Sequence, residues 1–387
     1  MANPIYAALP TTVFEEMSAL ARAHGAINLG QGFPDDPGPR AVRAKAAEAV
    51  LDGYNQYPSM LGLPELRQAV ARHYAATQGL DLDWEREVTV TSGATEALAS
   101  AFFGLIEPGD EVVLFQPLYD AYAPLIRRAG GVPRLVRLSP PDWRFTRAML
   151  EAAFAPRTRL VVLNNPVNPT GVVIPDEDLA LLAEFCVRHD AVAVCDEVWE
   201  QVVFDGRAHR PLIAFPGMRE RCVKIGSAGK MFGLTGWKVG FMCAAPALTQ
   251  ALARAHQFLT FTTPPNLQAA VAFGLETGAD WFAEMPRRLS ASRDRLTDAL
   301  RREGFAVLSS QGTYFLTVDL PGSGIDLPDR DFALRAVAEA GVASIPVSAF
   351  YETDPVTSIL RLCFSKSDET LDEAVRRLAK ARELVSA

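Results

Sequence analysis

Four short apolar, β-rich runs, each followed by a polar or glycine-containing turn, dictate what this chain can fold into. They are Val88–Thr91, Glu111–Phe115, Leu160–Leu163 and Ala191–Cys195. Their length and composition are those of buried strands. Helical patterns stand between them: Ala97–Ile106 after the first, one beyond Tyr119-Asp120 after the second, Asp176–Arg188 after the third. Alternating strands and helices are satisfied by a mostly parallel sheet with helices on both faces. Ligands of such sheets sit beyond the C-terminal strand ends. The polar segments Ser92-Gly93-Ala94-Thr95-Glu96, Gln116–Asp120, Asn164–Gly171 and Asp196-Glu197 all lie at such ends, so they are expected to meet along one edge.

Ahead of this region, Val13–Ala23, Arg40–Leu51 and Pro64–Ala76 read as helices, separated by the loop Gly30–Pro39 and the aromatic stretch Tyr54–Pro58. After about Trp281 the pattern changes. A helix over Met285–Glu303, a strand over Tyr314–Val318, a helix over Arg330–Ala340, a strand over Ile359–Phe364 and a closing helix over Glu369–Leu384 read as a smaller α+β unit. The expected division is an N-terminal arm over 1–40, a large domain over 41–282 and a small domain over 283–387.

Lysine is rare here: six of the 38 lysines and arginines. Two of the six, Lys230 and Lys238, stand eight residues apart in the small-residue stretch Ser227–Gly240. An amine can lose its proton and condense with a carbonyl, which a guanidinium cannot. Small neighbours would let a bulky group lie close to the backbone. A surface loop with two solvated lysines would look the same, so other segments must decide.

Asp196 closes five apolar residues, where a carboxylate needs a cation or donor, although an Asp there also suits a helix N-cap. Ser92–Thr95 joins a strand to a helix start, a ready phosphate site. Asn168 lies in a proline-bracketed turn, where it either simply makes the turn or donates inward. Arg361 alternates with Leu360 and Leu362. It needs an anion, which a carboxylate can supply bidentately, unless the strand is an exposed edge.

Together these segments resemble the fold-type I, pyridoxal-phosphate-dependent aminotransferases of class I/II, over essentially the whole chain. The resemblance is greatest to the kynurenine/glutamine and methionine aminotransferase branch. It is carried by Asn28–Asp35, Asn165–Gly171, Asp196-Glu197-Val198, Ser227–Gly240 and Arg361–Lys366. It implies a large domain with a mostly parallel seven-stranded sheet and a smaller α+β domain. It implies Lys230 as the Schiff-base lysine and proton carrier, with Asp196 against the pyridine nitrogen. Asn168 would donate to the cofactor's phenolic oxygen and touch the substrate carboxylate. Gly93, the Ala94 and Thr95 backbone, Ser227 and Lys238 would hold the phosphate, joined by Tyr57 from a neighbouring subunit. Tyr119 would stack on the ring. Arg361 and the Gly32 backbone would bind the α-carboxylate. Asn168-Pro169 is expected to be cis. One departure stands out: Trp199 occupies a position where the family usually has Tyr, and an indole can only donate.

The implied reaction is a ping-pong amino transfer between amino acids and 2-oxo acids in a homodimer with shared active sites. Aspartate-specific members carry a second arginine from the partner subunit, six residues before a Pro-Pro pair. Here Pro264-Pro265 matches that pair and Phe258 takes the arginine's place, with no Lys or Arg between Arg254 and Arg287. With Phe14, Tyr119, His256 and Phe261, an apolar and aromatic substrate pocket is expected, suited to methionine, glutamine, phenylalanine or kynurenine. A β-lyase that cleaves cysteine conjugates would use the same lysine and is the alternative.

The formal net charge of −8 argues against a nucleic-acid partner. A regulator with a DNA-binding segment in front would need room before residue 13, where the enzyme-like pattern already begins. Met1–Leu20 lacks a basic signal-peptide start, and no apolar run is long enough to span a bilayer. Five scattered cysteines form no CxxC pair. They suggest a cytoplasmic protein without a disulfide or metal framework.

Overall fold

The computed structural model describes residues 2–386. Strand β1 (Ile27–Asn28) leads out of the helix Val13–His24. The large sheet is built from β2 (Val88–Thr91), β3 (Glu111–Gln116), β4 (Val132–Arg137), β5 (Thr158–Asn164), β6 (Val192–Asp196), β7 (Cys222–Ser227) and β8 (Gly240–Ala244). Its order is β2-β8-β7-β6-β5-β3-β4. Only β8 runs against its neighbours; the pairs β3–β4, β3–β5, β5–β6 and β6–β7 are parallel. The chain thus leaves β2, β3, β5, β6 and β7 on one edge.

Both sheet faces are covered, and side-chain alternation decides what each strand gives to each. Val192 and Val194 enter one core with Val112, Leu114, Leu160, Val162, Val223 and Ile225. Ala193 and Cys195 enter the other with Val113, Val161, Leu163 and Cys222. That two-sided burial explains why these strands read as continuous apolar runs.

The smaller sheet has the order β12-β13-β10-β9, from β9 (Ala306–Val307), β10 (Phe315–Asp319), β12 (Ile345–Pro346) and β13 (Ile359–Cys363). β11 (Val342–Ala343) pairs with β1 instead. Its core gathers Leu316, Val318, Leu360, Leu362, Phe364 and the closing helix Asp368–Ser386. The helix Ala279–Arg302 runs unbroken across the expected division at 282/283; its Trp281 packs on both the large and the small core.

The expected helix over 330–340 is an α-helix over Asp329–Arg335 followed by a π turn over Ala336–Ala340. The helix after β2 begins at Ala94 rather than Ala97. Strands β4, β7 and β8 and the helices Pro246–Leu259 and Pro265–Thr277 were not expected from the sequence pattern. Among the described residues no helix is long and apolar enough to cross a membrane.

Candidate active site

At the shared strand edge a cavity of about 280 Å³ opens between the two sheets. Each strand end contributes to it. Gly93 follows β2 with φ +80°. A Cβ there would come within 3.1 Å of the Lys238 side chain. Glycine thus lets Lys238 cross the start of the helix Ala94–Leu105. That helix start leaves the first amides, Ala94 and Thr95, without intrahelical acceptors and with the positive dipole end outward. With Thr95, Ser227, Thr235 and Lys238 they line one end of the cavity, a set suited to a phosphate.

Asp196 ends β6 and is buried, 6% exposed. Its Oδ2 accepts from the Tyr122 hydroxyl, while Oδ1 is buried with no hydrogen-bond partner. Burial raises its pKa, against the lowering effect of the Tyr122 bond. A buried carboxylate oxygen lacking a donor calls for a cationic N–H from a bound group. The segment after it is braced from below: Lys224, fully buried, lies between Glu197 (2.5 Å) and Glu200.

Lys230 is carried by a one-turn helix, Ala228–Met231, directly after β7. Its Nζ lies 4.7 Å from the Trp199 ring centroid, and its carbonyl accepts from the Tyr314 hydroxyl at 3.1 Å. Burial is the main influence on its amine and pulls the pKa down to about 8, because the charged form loses hydration. At neutral to mildly basic pH a fair fraction is the neutral nucleophile. Trp199 is itself wedged edge-on against Tyr314 (4.4 Å) and Phe315 (5.4 Å).

Arg361 occupies an interior strand of the small sheet, not an exposed edge, and is 1% exposed. Its guanidinium donates to Asn168 Oδ1 (2.7 Å) and to the Gly30 carbonyl (2.6 Å). Nε is buried without a partner. It lies 3.9 Å from the centroid of Phe315 and 5.2 Å from those of Phe14 and Phe350. No carboxylate forms an ion pair with it among the described residues, although the Asp120 carboxylate acts on it from a distance; burial outweighs this and pulls its pKa down. A buried cation caged by aromatic faces and without an ion-pair partner could take a carboxylate.

Asn168 spends Oδ1 on Arg361, and its backbone N–H donates to Asn164 Oδ1 at 2.7 Å. That leaves the Asn168 side-chain N–H₂ to face the cavity as a donor. The Asn168-Pro169 bond is cis. Tyr119 lines the same wall, beside Thr95. Gly32 completes the cavity; a Cβ there would lie 2.7 Å from Phe315.

The structure therefore brings Phe14, Gly32, Gly93, Ala94, Thr95, Tyr119, Asn168, Asp196, Trp199, Ser227, Lys230, Lys238 and Arg361 to one cavity. It does not bring Tyr57 and Phe258 to the cavity of their own chain; they are 78% and 85% exposed. Tyr57 packs edge-on against Phe261, centroids 5.4 Å apart, out on the surface. His256 corrects the expected pocket: it is fully buried, bonded to the Glu96 carboxylate (2.9 Å) and the Met60 carbonyl (2.9 Å). Those bonds hold it inside the helix packing.

Sequence reasoning missed Asn164, Thr235 and Phe315 as cavity residues. Asn164 carried a usable signal, being the last residue of β5, on the same edge as Asp196. Phe315 did not, since its role depends on the pairing of β10 with β13.

Comparison with known proteins agrees with this geometry. The family model "Aminotransferase class I and II" matches residues 24–378. The chain is 44% identical over 384 residues to a probable N-succinyldiaminopimelate aminotransferase of Mycobacterium tuberculosis, covering 96% of each chain. It is 40% identical over 371 residues to the methionine aminotransferase of Escherichia coli, again covering 96% of each. The solved structure of the N-succinyldiaminopimelate aminotransferase from Mycobacterium tuberculosis superposes with a TM-score of 0.95 at 43% identity, over 98% of this chain and 100% of that one.

Proposed function

This chain belongs to the class I and II aminotransferases, and from that premise we propose that it moves the amino group of a neutral, large or aromatic amino acid to a 2-oxo acid, with pyridoxal 5'-phosphate held in the 280 Å³ cavity. The observation that carries the reading is the meeting of three incomplete groups in that cavity: a neutral-prone Lys230 amine, a buried Asp196 oxygen without a donor, and a buried Arg361 that no carboxylate contacts among the described residues.

The residues fit the cofactor. The Gly93–Thr95 turn, Ser227 and Lys238 would take its phosphate. Asp196 Oδ1 would take the ring N–H, Tyr119 would lie on the ring, and the Asn168 amide would donate to the phenolic oxygen. When bound, pyridoxal phosphate supplies an electrophilic aldehyde and a ring that accepts an electron pair. The chain's own residues supply the rest. Arg361 and the Gly32 backbone hold the α-carboxylate, which fixes the α-carbon's orientation. Lys230 Nζ, neutral near its lowered pKa, would remove the α-proton and later give a proton to the cofactor's aldehyde-derived carbon on the far side of the nitrogen. Asp196 stays ionised because a cationic partner offsets its desolvation.

The active protein is read as a homodimer. The exposed cluster of Tyr57, Phe258 and Phe261 supports this, since side chains of this size rarely stay bare. Across a two-fold interface Tyr57 would reach the partner's phosphate site and Phe258 the partner's substrate pocket. Five free, buried cysteines are in keeping with a cytoplasmic setting.

The substrate reading is tested with a panel of amino donors and one common 2-oxo acid. The panel includes N-succinyldiaminopimelate, for which the 44% identical relative is named. Methionine or phenylalanine is expected to exceed aspartate in kcat/KM by more than about tenfold, because a distal carboxylate would be buried with no cation. Phe258→Arg should shift the ratio toward aspartate. Aspartate matching or beating methionine in the unaltered enzyme would refute the preference.

Trp199→Tyr addresses the departure at that position. A phenol can hydrogen-bond the cofactor's phenolic oxygen in ways an indole cannot. The pH at which the bound cofactor's visible absorbance titrates should move by roughly one pKa unit, the size of one hydrogen bond to a charged group. An unmoved titration would show that position 199 does not address that oxygen.

A further inference from the structure

Lys224 is a buried charge that the proposed reaction does not use. It stands on β7 between Val223 and Ile225, which enter one core, so its side chain leaves by the opposite face of the sheet. The ammonium is fully buried. It bonds Glu197 Oε2 at 2.5 Å and the Glu200 carboxylate, and the Tyr74 ring centroid lies 4.5 Å away. A compact ammonium with three donors suits such a space better than the planar fork of the arginines that this chain otherwise favours. The two carboxylates have further donors. The Tyr74 hydroxyl donates to Glu200 Oε1 and Gln78 Nε2 to Oε2, both at 2.6 Å. The Leu212 amide donates to Glu197 Oε1 at 3.2 Å, and His209 Nε2 lies 3.2 Å from Oε2. Gly226, on the same face of β7, leaves the room that the Tyr74 hydroxyl needs, since a Cβ there would collide with it. Burial alone would raise the Glu197 carboxyl; the charges of Lys224 and His209 outweigh it and hold its pKa at about 2.

This network lies behind the turn Asp196–Glu200. Asp196, Val198 and Trp199 line the cofactor cavity, whereas Glu197 and Glu200 turn their carboxylates away from it, to Lys224. Past the bond from the Glu197 amide to the Ile225 carbonyl, at 3.0 Å, the turn is tied to β7 by the Lys224 bridge. Burial raises the Asp196 pKa, and the backbone N–H of Val198, which stands between the two anchored glutamates, works against that rise. Stability is a poor reason for such a triad. Two carboxylates and an ammonium lose their hydration on burial, and apolar residues of similar volume often replace buried ion triads with no loss of stability. What the bridge supplies is a fixed place for the turn that carries Asp196.

We propose that Lys224 is a positioning residue of the amino transfer: by bridging Glu197 and Glu200 it holds the Asp196–Glu200 turn so that the unpartnered Asp196 Oδ1 meets the cofactor's ring N–H. This rests on the aminotransferase reading above and adds to it a residue outside the cavity. Lys224 touches neither cofactor nor substrate; it acts through Asp196.

Lys224→Met combined with Glu197→Gln and Glu200→Gln removes the bridge without leaving a bare charge. Glutamine keeps an oxygen for the Tyr74 hydroxyl and the Leu212 amide, so thermal stability is expected near that of the unaltered protein. With methionine as donor, kcat should fall about tenfold while KM, governed by Arg361 on the other sheet, stays within about threefold. Besides activity, the dissociation constant for pyridoxal phosphate should rise about tenfold. The pH at which the bound cofactor's visible absorbance titrates should rise by about one unit, because a ring nitrogen held less firmly in its protonated form draws less charge from the rest of the cofactor. In an Asp196→Asn background the same three substitutions should cost less than about twofold more in kcat, since Lys224 acts through Asp196. Glu200→Gln alone keeps the Lys224–Glu197 pair. It should shift the titration the same way by about half a unit, which decides the matter should the combined variant fail to fold. An unmoved kcat or titration in the combined variant, an unmoved titration in Glu200→Gln where the combined one does not fold, or an undiminished loss in the Asp196→Asn background would overturn the proposal. Each of those results leaves the aminotransferase reading standing; an unaltered enzyme that transaminates no donor overturns both.

Discussion

Lys230→Ala is expected to lower transamination by more than about 10⁴-fold, since the proposed mechanism makes this one amine both the nucleophile and the proton carrier. The size of the loss follows from how isolated that amine is. Lys238 is the other lysine of the cavity, and it stands at the start of the helix Ala94–Leu105, its side chain lying across Gly93. Apart from these two amines, no side chain lining the cavity can condense with an aldehyde. Borohydride treatment of the loaded protein followed by mass spectrometry should find the cofactor fixed to residue 230 in the unaltered chain and nowhere in the variant. Fixation at another lysine in the variant would refute the assignment. The pH dependence gives a second check. Burial depresses the Lys230 pKa to about 8, so the amine is protonated below that value and neutral above it. Capture of pyridoxal phosphate by the cofactor-free protein should therefore speed up as pH rises through about 8 and level off beyond. A rise that continues toward the ordinary lysine range would show that the amine is not desolvated as described.

The parts of this site that could be read from sequence are those where local chemistry conflicts with local structure. Asp196 stands out because a charge ends a run buried on both faces of a sheet. Ser92–Thr95 stands out because a strand must turn into a helix through a residue of positive φ. Lys230 stands out because a chain that otherwise favours arginine keeps a lysine among small residues. Strand β7 lacked such a signal: Lys224 interrupts its apolar pattern, and only the fold reveals that Glu197 and Glu200 neutralise the buried ammonium. His256 misled for a similar reason, its partner Glu96 lying 160 residues away in sequence. Strand β4 carries Pro133 and Arg134 at the sheet edge, where one face of its ladder is open and the composition resembles a loop. Phe258 lies beyond any single-chain argument, because its exposure acquires meaning only against a second subunit.

Arg361→Met should lower kcat/KM for every amino acid donor by about 10²- to 10³-fold, the range for removing one partner of a buried, hydrogen-bonded charge pair. Methionine is similar in volume but shorter, so it leaves an apolar stem among Phe14, Phe315 and Phe350 and removes the guanidinium that faces their rings. In the free protein Arg361 is a buried cation whose Nε is unsatisfied and which no carboxylate meets among the described residues. Replacing such a group with an apolar one of similar volume is often neutral for stability. The lost bonds to Asn168 Oδ1 and the Gly30 carbonyl act in the other direction. Near-native thermal stability is thus expected alongside the kinetic loss. The decisive comparison deletes the substrate's half of the pair instead. The unaltered enzyme should prefer methionine over its decarboxylated amine by a large factor, and Arg361→Met should erase that preference by slowing the amino acid while leaving the amine's rate nearly unchanged. If the variant slows both compounds equally, Arg361 serves to hold Asn168 and Gly30 in place, and the α-carboxylate is bound elsewhere. If only the amino acid is slowed, the aromatic cage around Arg361 is the group that distinguishes amino acids from simple amines.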